Sequence, residues 1–163
     1  MSNIQLKTFL ILVLFSMVSF IDPQIKGKVI GIKDGDTVEI LQGKTKIKVR
    51  LFGIDCPEQH QDFGQKAKTF TSDMCFGKEV KVLVKGKDYF GRTLAELILP
   101  NGKNLNQELV KEGMAWHFKK YSSSKILEKL QSEAKSKKIG LWSHANPIPP
   151  WEFRKSQKKK SKK

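Results

Sequence analysis

The chain has 163 residues with 39% hydrophobic content, which is enough for one domain with a sizeable core but hardly for two. Lysine and arginine number 31 against 16 acidic residues, and the formal net charge of +15 favours polyanionic partners: nucleic acid, anionic lipid or acidic polysaccharide. The sequence contains no G-x-S-x-G motif, no Walker loop and no histidine and cysteine cluster, so acyl transfer, nucleotide hydrolysis and zinc chemistry find no support.

The N-terminal end predicts a targeting segment over residues 1–22. Its stretch FLILVLFSMVSFI is apolar apart from two serines, and these 13 residues are fewer than the about 20 that span a membrane. We expect a signal peptide and a secreted or periplasmic protein, with an uncleaved N-terminal segment that anchors the protein to the membrane as the alternative. In an oxidising compartment, Cys56 and Cys75 can form a disulfide or remain two buried thiols.

The C-terminal end is strongly basic. Its last ten residues, RKSQKKKSKK, hold seven cations and no acid, which leaves 24 cations against 16 acids, a net charge of +8, in the rest of the chain. The body of the protein is therefore basic as well. The lysine-rich stretch 156–163 is expected to be a disordered tail.

Between these ends, short strands come first. KGKVIGI, the turn KDGDT and VEIL predict a bent hairpin over residues 26–41. In the following KIKVRLFGI, apolar and basic side chains alternate, so Arg50 projects from the face opposite the apolar row. EVKVLVK (79–85) and RTLAELIL (92–99) predict a further strand pair across the loop GKDYFG.

Three helices are expected among these strands. The first spans about 63–76, the second begins at Asn104 as its cap and ends at Gly113, and the third follows the serines at 122–124. Short strands around a nearly closed sheet, with helices packed outside, predict a mainly β, α+β fold: a Greek-key barrel of the OB type. The helix faces expected in the core are Phe63, Ala67, Phe70 and Met74; Leu105, Leu109 and Val110; and Ile126, Leu130 and Ala134.

Four segments hold residues with catalytic potential: D-G-D-T (34–37), R-L-F-G-I-D-C-P-E (50–58), D-Y-F-G-R-T (88–93) and N-P-I-P-P-W-E-F-R (146–154). Each alone is weak evidence, because Asp-Gly-Asp is more often a hairpin turn and a strand arginine is more often salt-bridged. We expect the last segment to be a strap whose Trp151 packs on the barrel rather than an SH3 ligand.

Together the segments supply what phosphodiester cleavage requires. Asp36 and Asp55, both at strand ends, offer oxygen ligands to a hard divalent cation such as Ca2+ or Mg2+. Glu58, set beyond Pro57, can orient or deprotonate a water. Two guanidiniums, at Arg50 and Arg92, can meet the charge that spreads over the phosphoryl oxygens in the transition state.

These motifs, with G-M-A-W, G-L-W and P-P-W-E-F-R following in the same order, resemble the thermonuclease family of staphylococcal-nuclease-like domains. The resemblance covers residues 25–155. It implies a five-stranded OB barrel with three helices, and an endonuclease that uses one Ca2+ ion, with Mg2+ or Mn2+ as alternatives. Its substrates would be DNA and RNA, cut with little sequence preference to leave 3′-phosphate ends, by a monomer that needs no protein partner.

The resemblance also implies roles for individual residues. The residues at the family's catalytic positions are Arg50, Glu58 and Arg92, and those at its metal positions are Asp36, Asp55 and the backbone carbonyl of Cys56. Asp34 and Thr37 are candidates for the shell around the metal, with an ordinary turn role as the alternative, and Tyr121 and Lys119 are candidates for substrate binding. The sequence departs from the staphylococcal pattern at two positions. Tyr89 replaces a lysine that contacts phosphate in the family, and Lys119 replaces the first of the family's two pocket tyrosines.

Two other functions compete with the nuclease. An OB barrel can bind nucleic acid without cutting it, but a chain that had lost catalysis would be expected to lack some of its acids or arginines. A cationic envelope protein held by the N-terminal segment is the second alternative, supported mainly by the lysine tail.

Overall fold

The computed structural model describes residues 24–160. The predicted targeting segment at 1–22 and the last three residues of the predicted tail lie outside the described residues. Within 24–160, no helix combines the length and the apolar composition needed to cross a membrane.

Seven strands occur in the described part of the chain: β1 (Gln24–Asp34), β2 (Thr37–Gln42), β3 (Thr45–Leu51), β4 (Ile54–Asp55), β5 (Glu79–Lys87), β6 (Thr93–Ile98) and β7 (Trp116–His117). Five of them close a barrel in the order β1-β2-β3-β6-β5, in which β3 and β6 run parallel and the other pairs antiparallel. Strands β4 and β7 form a separate antiparallel pair. The predicted five-stranded barrel of the α+β class is confirmed.

The barrel closes around the apolar half of each alternating strand. Val29 of β1, Val38 of β2, Val49 of β3 and Leu97 of β6 are all fully buried, because alternate side chains of a strand point to the same face. The polar half, which includes Arg50, is left for the outside of the barrel, where the candidate site lies.

Four α-helices and a 3-10 turn accompany the strands within residues 24–160: α1 (Gly64–Cys75), α2 (Leu105–Lys111), α3 (Lys125–Ser136), the turn (Gly140–Ser143) and α4 (Pro150–Lys160). The first three lie where they are predicted. Asn104 caps α2 as expected, since its side chain accepts from the backbone N–H groups of Asn106 at 3.0 Å and Gln107 at 3.3 Å.

The predicted core face of α3 is confirmed at Ala134, and Leu130 is partly buried against the core, but the prediction is wrong at Ile126. Ile126 is 57% exposed, whereas Leu127, Gln131 and Ala134 are buried. The reason lies outside the helix: the Gln131 side-chain oxygen accepts a hydrogen bond from the backbone N–H of His117 at 2.9 Å. This bond connects α3 to β7 and keeps the face with Leu127 and Gln131 toward the protein.

Helix α4 was not predicted, and it extends to Lys160 through most of the stretch expected to be a disordered tail. Pro150 occupies its first position, where the missing N–H costs nothing. Trp151 stacks on Phe118 with ring centroids 5.2 Å apart and an angle of 4° between the planes, and its edge meets Trp116 at 5.7 Å. The segment that contains Trp151 therefore packs against β7 and the residues after it.

Both cysteines are free and buried, so the two-thiol alternative describes the structure. Burial raises the pKa of Cys75 to about 12, and burial likewise places the pKa of Cys56 far above that of an ordinary thiol. Neither thiol is available as a nucleophile at neutral pH.

Candidate active site

Asp36 lies in the tight turn between β1 and β2. Gly35 allows this turn to pack closely against Cys56 and Ala67, because a Cβ atom at position 35 would lie 2.8 Å from the Cβ of Cys56 and 2.9 Å from that of Ala67. The Asp36 carboxylate is buried, and its Oδ2 accepts the backbone N–H of Cys56 at 2.6 Å. Helix α1 secures the turn from outside, since Thr71 Oγ1 donates to the Gly35 carbonyl at 2.6 Å.

Asp34 and Thr37 flank this carboxylate. Asp34 Oδ1 accepts the backbone N–H of Asp36 at 3.1 Å, which is the contact expected of a turn residue. Thr37 is buried and its hydroxyl lies 3.4 Å from Asp36 Oδ1. Both side chains therefore fix the position of Asp36.

A second carboxylate, Asp55 of β4, is only 1% exposed and converges with Asp36 on the guanidinium of Arg50. Arg50 Nη2 lies 2.6 Å from Asp55 Oδ1, and Arg50 Nη1 pairs with Asp36 Oδ1. Arg50 comes from β3, which pairs with β2 so that Arg50 is opposite Thr37, the residue after Asp36. The barrel register thus brings the two acids and this arginine together.

The chemistry of this donor set suits a hard divalent cation. The two buried carboxylates both pair with the Arg50 guanidinium, so a positive charge already lies between them. Carboxylate oxygens are also the ligands that Ca2+ prefers. Among residues 24–160, no group of three or more His, Cys, Asp and Glu side chains has the arrangement of a metal site. The main-chain carbonyl of Cys56 stays a prediction as the further ligand.

Glu58 stands beside these acids at the start of the loop that leads into α1. Its backbone N–H donates to Gln61 Oε1 at 3.2 Å, and its carbonyl accepts the N–H of Gln61 at 2.9 Å. The first residue of α1 is Gly64, where any Cβ atom would overlap the Glu58 carbonyl. The backbone of Glu58 is therefore tightly placed, while its side chain remains 41% exposed to the cleft.

Arg154 of α4 also enters the site, and it is the residue that the sequence reasoning missed. Its Nη2 lies 2.8 Å from Asp55 Oδ2, and its Nη1 lies 2.6 Å from Glu58 Oε1 and 3.3 Å from Asp55 Oδ1. Partial burial lowers the pKa of Arg154, but the hydrogen bonds to the two acids outweigh it and raise the pKa overall. The available signal was its place in PPWEFR, three residues after the packed Trp151.

Arg92 lies on another wall, at the start of β6. Its Nε donates to Asp88 Oδ2 at 2.7 Å, and its backbone N–H donates to Asp88 Oδ1 at 2.9 Å. Partial burial raises the pKa of Asp88, but the hydrogen bonds from Arg92 outweigh it and hold the pKa below its usual value. Asp88 is thus a fixed anion that orients Arg92 toward the cleft.

These side chains line one cleft of about 790 Å3. Tyr121 also lines it, as does Tyr89, which is 97% exposed on the loop between β5 and β6. Lys119 is not among the lining residues; its ammonium pairs instead with Glu128 of α3 at 2.7 Å. The predicted residues that the structure brings together in the cleft are Asp34, Asp36, Thr37, Arg50, Asp55, Cys56, Glu58, Arg92 and Tyr121.

Comparison with known proteins identifies the family of this chain. A family model described as "Staphylococcal nuclease homologue" matches residues 48–144, more than half of the chain. The chain belongs to the staphylococcal nuclease family. The resemblance to the thermonuclease family is thereby confirmed, and the enzyme class is that of a nuclease, a hydrolase of phosphodiester bonds.

Relatives of this staphylococcal nuclease homologue carry names of the same kind. An "Uncharacterized endonuclease" of Haemophilus influenzae is 46% identical over 132 residues, covering 80% of this chain and 74% of the relative. A protein of that same name from Escherichia coli O157:H7 is 39% identical over 130 residues, covering 80% and 85%. A "Micrococcal nuclease" of Shigella flexneri is 38% identical over 143 residues, covering 82% of each.

The family match at 48–144 includes Arg50, Asp55, Glu58 and Arg92 but neither the turn that holds Asp36 nor helix α4. The candidate site of this nuclease therefore includes residues from both sides of the matched segment.

Proposed function

We propose that the protein is an exported, Ca2+-dependent nuclease that cleaves DNA and RNA with little sequence preference and leaves 3′-phosphate ends. One observation carries the proposal: two buried carboxylates, a half-exposed glutamate and two arginines of the family pattern line a single cleft in a basic protein. Export rests on the apolar segment at 9–21, and it is tested separately by the fate of that segment during secretion.

Asp36 and Asp55 would hold the metal, with the Cys56 carbonyl as the further candidate ligand. When bound, a hard divalent cation supplies positive charge that polarises the phosphoryl oxygen and acidifies a water. Arg50 pairs with the same two acids, so it would share them with a bound cation, and its guanidinium would then be available to the scissile phosphate. Two forked guanidiniums, those of Arg50 and Arg92, would donate hydrogen bonds to the phosphoryl oxygens as negative charge accumulates there.

Glu58 would act on the attacking water, either accepting its proton on a carboxylate oxygen or orienting it. The water oxygen forms a bond to phosphorus while the bond to the 5′ oxygen breaks, which leaves a 3′-phosphate and a 5′-hydroxyl. Arg92 would hydrogen-bond the departing oxygen. The exposed carboxylate of Glu58 suits this task, because a base must reach solvent and substrate.

The substrate range follows from the surface of the cleft. Its arginines would contact phosphate rather than base edges, and contacts to phosphate carry no direct sequence information. The exposed aromatic rings of Tyr89 and Tyr121 can stack on any base. Both features favour cleavage with little sequence preference on DNA and RNA alike.

The test is cleavage by the purified protein of plasmid DNA, single-stranded DNA and RNA, with Ca2+, Mg2+ or Mn2+, or with a chelator. We expect Ca2+-dependent cleavage, and product ends that are phosphorylated at the 3′ side. Glu58→Ala and Arg92→Ala should each reduce the rate at least about a hundredfold while the circular dichroism spectrum is kept. Binding of DNA without cleavage under any of these ions would instead indicate a non-catalytic barrel.

A further inference from the structure

The C-terminal helix brings a third arginine to the acids of the site. Arg154 and Glu58 are 96 residues apart in sequence, yet their side chains are 2.6 Å apart, and the other nitrogen of the same guanidinium lies 2.8 Å from Asp55. A guanidinium is planar and rigid, so an arginine that contacts two carboxylates sets the distance and the angle between them.

We propose that Arg154 is a positioning residue of the nuclease, which holds the Glu58 carboxylate against Asp55 and makes helix α4 a working part of the site. The inference rests on the proposed function, in which Glu58 acts on the water and Asp55 holds the metal. It assigns a role to a residue that lies beyond the matched segment 48–144.

Glu58 needs such support because its side chain is 41% exposed. A carboxylate at this exposure has several rotamers open to it, and a displacement of about 1 Å in a reacting group costs about a hundredfold in rate. The contact from Arg154 selects one orientation of the carboxylate.

Arg154 can provide this support because α4 is itself firmly placed. Trp151, one turn earlier on the helix, stacks on Phe118 with nearly parallel rings. The strap before the helix is held as well, since Gln61 Nε2 donates to the Ile148 carbonyl at 2.5 Å. Gln61 also receives the backbone N–H of Glu58, so the strap and the Glu58 loop are connected by the same side chain.

The same contacts place Arg154 in competition with a metal. Both oxygens of Asp55 are engaged, Oδ1 mainly by Arg50 and Oδ2 by Arg154. A divalent cation that binds Asp55 must displace at least one of these bonds and is repelled by both guanidiniums. Removal of Arg154 should therefore strengthen Ca2+ binding although it weakens catalysis.

The experiment compares Arg154→Ala and Arg154→Lys with Lys155→Ala in the full-length chain. Lys155 is the next residue of α4 and is exposed, so its variant removes the same charge without touching the acids. The kcat and KM for a single-stranded DNA substrate are measured at saturating Ca2+. The dissociation constant of Ca2+ is measured by calorimetry in the absence of substrate.

We expect Arg154→Ala to lower kcat by about 10- to 100-fold with KM changed by less than about threefold. Arg154→Lys should recover part of this loss, because an ammonium can keep one of the two contacts. The Ca2+ dissociation constant of Arg154→Ala should fall by about two- to fivefold, as expected for the loss of a partly exposed ion pair. Lys155→Ala should match the wild type in kcat and in Ca2+ affinity.

Wild-type kcat in Arg154→Ala, an equal loss in Lys155→Ala, or unchanged Ca2+ affinity in Arg154→Ala would each overturn the inference. Should Arg154→Ala fail to fold, the kcat of Arg154→Lys is the deciding measurement. A wild-type kcat in that variant would show that the two contacts of the guanidinium are not needed, and would overturn the inference. These results are separable from the proposed function: if the wild type cleaves and Arg154→Ala cleaves equally well, the nuclease stands and only the role of Arg154 falls.

Discussion

Replacement of Asp55 by asparagine tests the charge balance of the site. In a site where acids face one another without a cation, neutralising one acid relieves repulsion and stabilises the metal-free protein. In this structure, Asp55 receives hydrogen bonds from Arg50 at 2.6 Å and from Arg154 at 2.8 Å and 3.3 Å. Because the two arginines attract Asp55, neutralising it removes attraction rather than repulsion. We therefore expect Asp55→Asn to destabilise the protein in chelator.

The magnitude follows from the contacts that remain. The asparagine oxygen keeps one bond to Arg50, which also retains Asp36, while Arg154 retains Glu58. The loss is therefore about two charge-assisted bonds, at about 1.5–3 kcal/mol each when buried. Both lost bonds are those to Arg154, whose side chain is 40% exposed, so each contributes less than a buried bond, and the total is about 2–3 kcal/mol.

The assay is urea unfolding of both proteins at pH 7 in chelator and again across a range of Ca2+ concentrations. The gap should widen as Ca2+ is added, because the wild type gains the free energy of metal binding that the variant loses. Asp73→Asn serves as the control, since Asp73 is an exposed acid on α1 and its replacement should change stability by less than about 0.5 kcal/mol. A variant more stable than the wild type in chelator would refute the pairing of Asp55 with the two arginines.

Two further predictions concern pH and salt. Burial lowers the pKa of His117, so below about pH 6.5 the unfolded chain binds a proton that the folded protein does not bind. The contribution of His117 to stability should be complete above that pH. On acidification the free energy of unfolding should fall by at most about 1.4 kcal/mol per pH unit. His117→Gln should flatten this fall between pH 7 and 5. Truncation after Gln157 removes five lysines but spares Arg154, and it should weaken DNA binding at low salt and reduce the salt dependence, with kcat at saturation unchanged.

Denaturant titrations across pH check the first of these, and an unaltered slope in His117→Gln would assign the acid sensitivity to other groups. Binding measured at several salt concentrations checks the second. A salt slope identical to that of the full-length chain would show that the lysines do not contact the nucleic acid.

Local sequence determined much of this site. Arg50, Asp55 and Glu58 lie within nine residues, and strand alternation followed by Pro57 places them at one end of β3. The barrel likewise follows from alternation in strands separated by short turns, because period-2 burial is a property of each strand by itself. Asp36 could be predicted as well, because it lies in a hairpin turn whose sequence, D-G-D-T, is recognisable locally.

Helix α3 shows where a local pattern stops being sufficient. Ile126 and Leu127 are adjacent and both apolar, so the sequence allows either of them to be the buried residue of the first turn. The bond from the His117 backbone to Gln131 favours Leu127, which lies one turn before Gln131 on the same face of the helix. The partner of that bond is 14 residues away and belongs to another element.

Arg154 depended entirely on tertiary structure. In the sequence it is the first cation of a basic run, and its place in PPWEFR does not by itself separate a side chain that enters the site from one that remains in solvent. The packing of Trp151 on Phe118 aims helix α4 across the cleft, and only then does this arginine reach Asp55 and Glu58. Alternation and turns are encoded within a few residues, whereas an encounter across 96 residues depends on how every element between them packs.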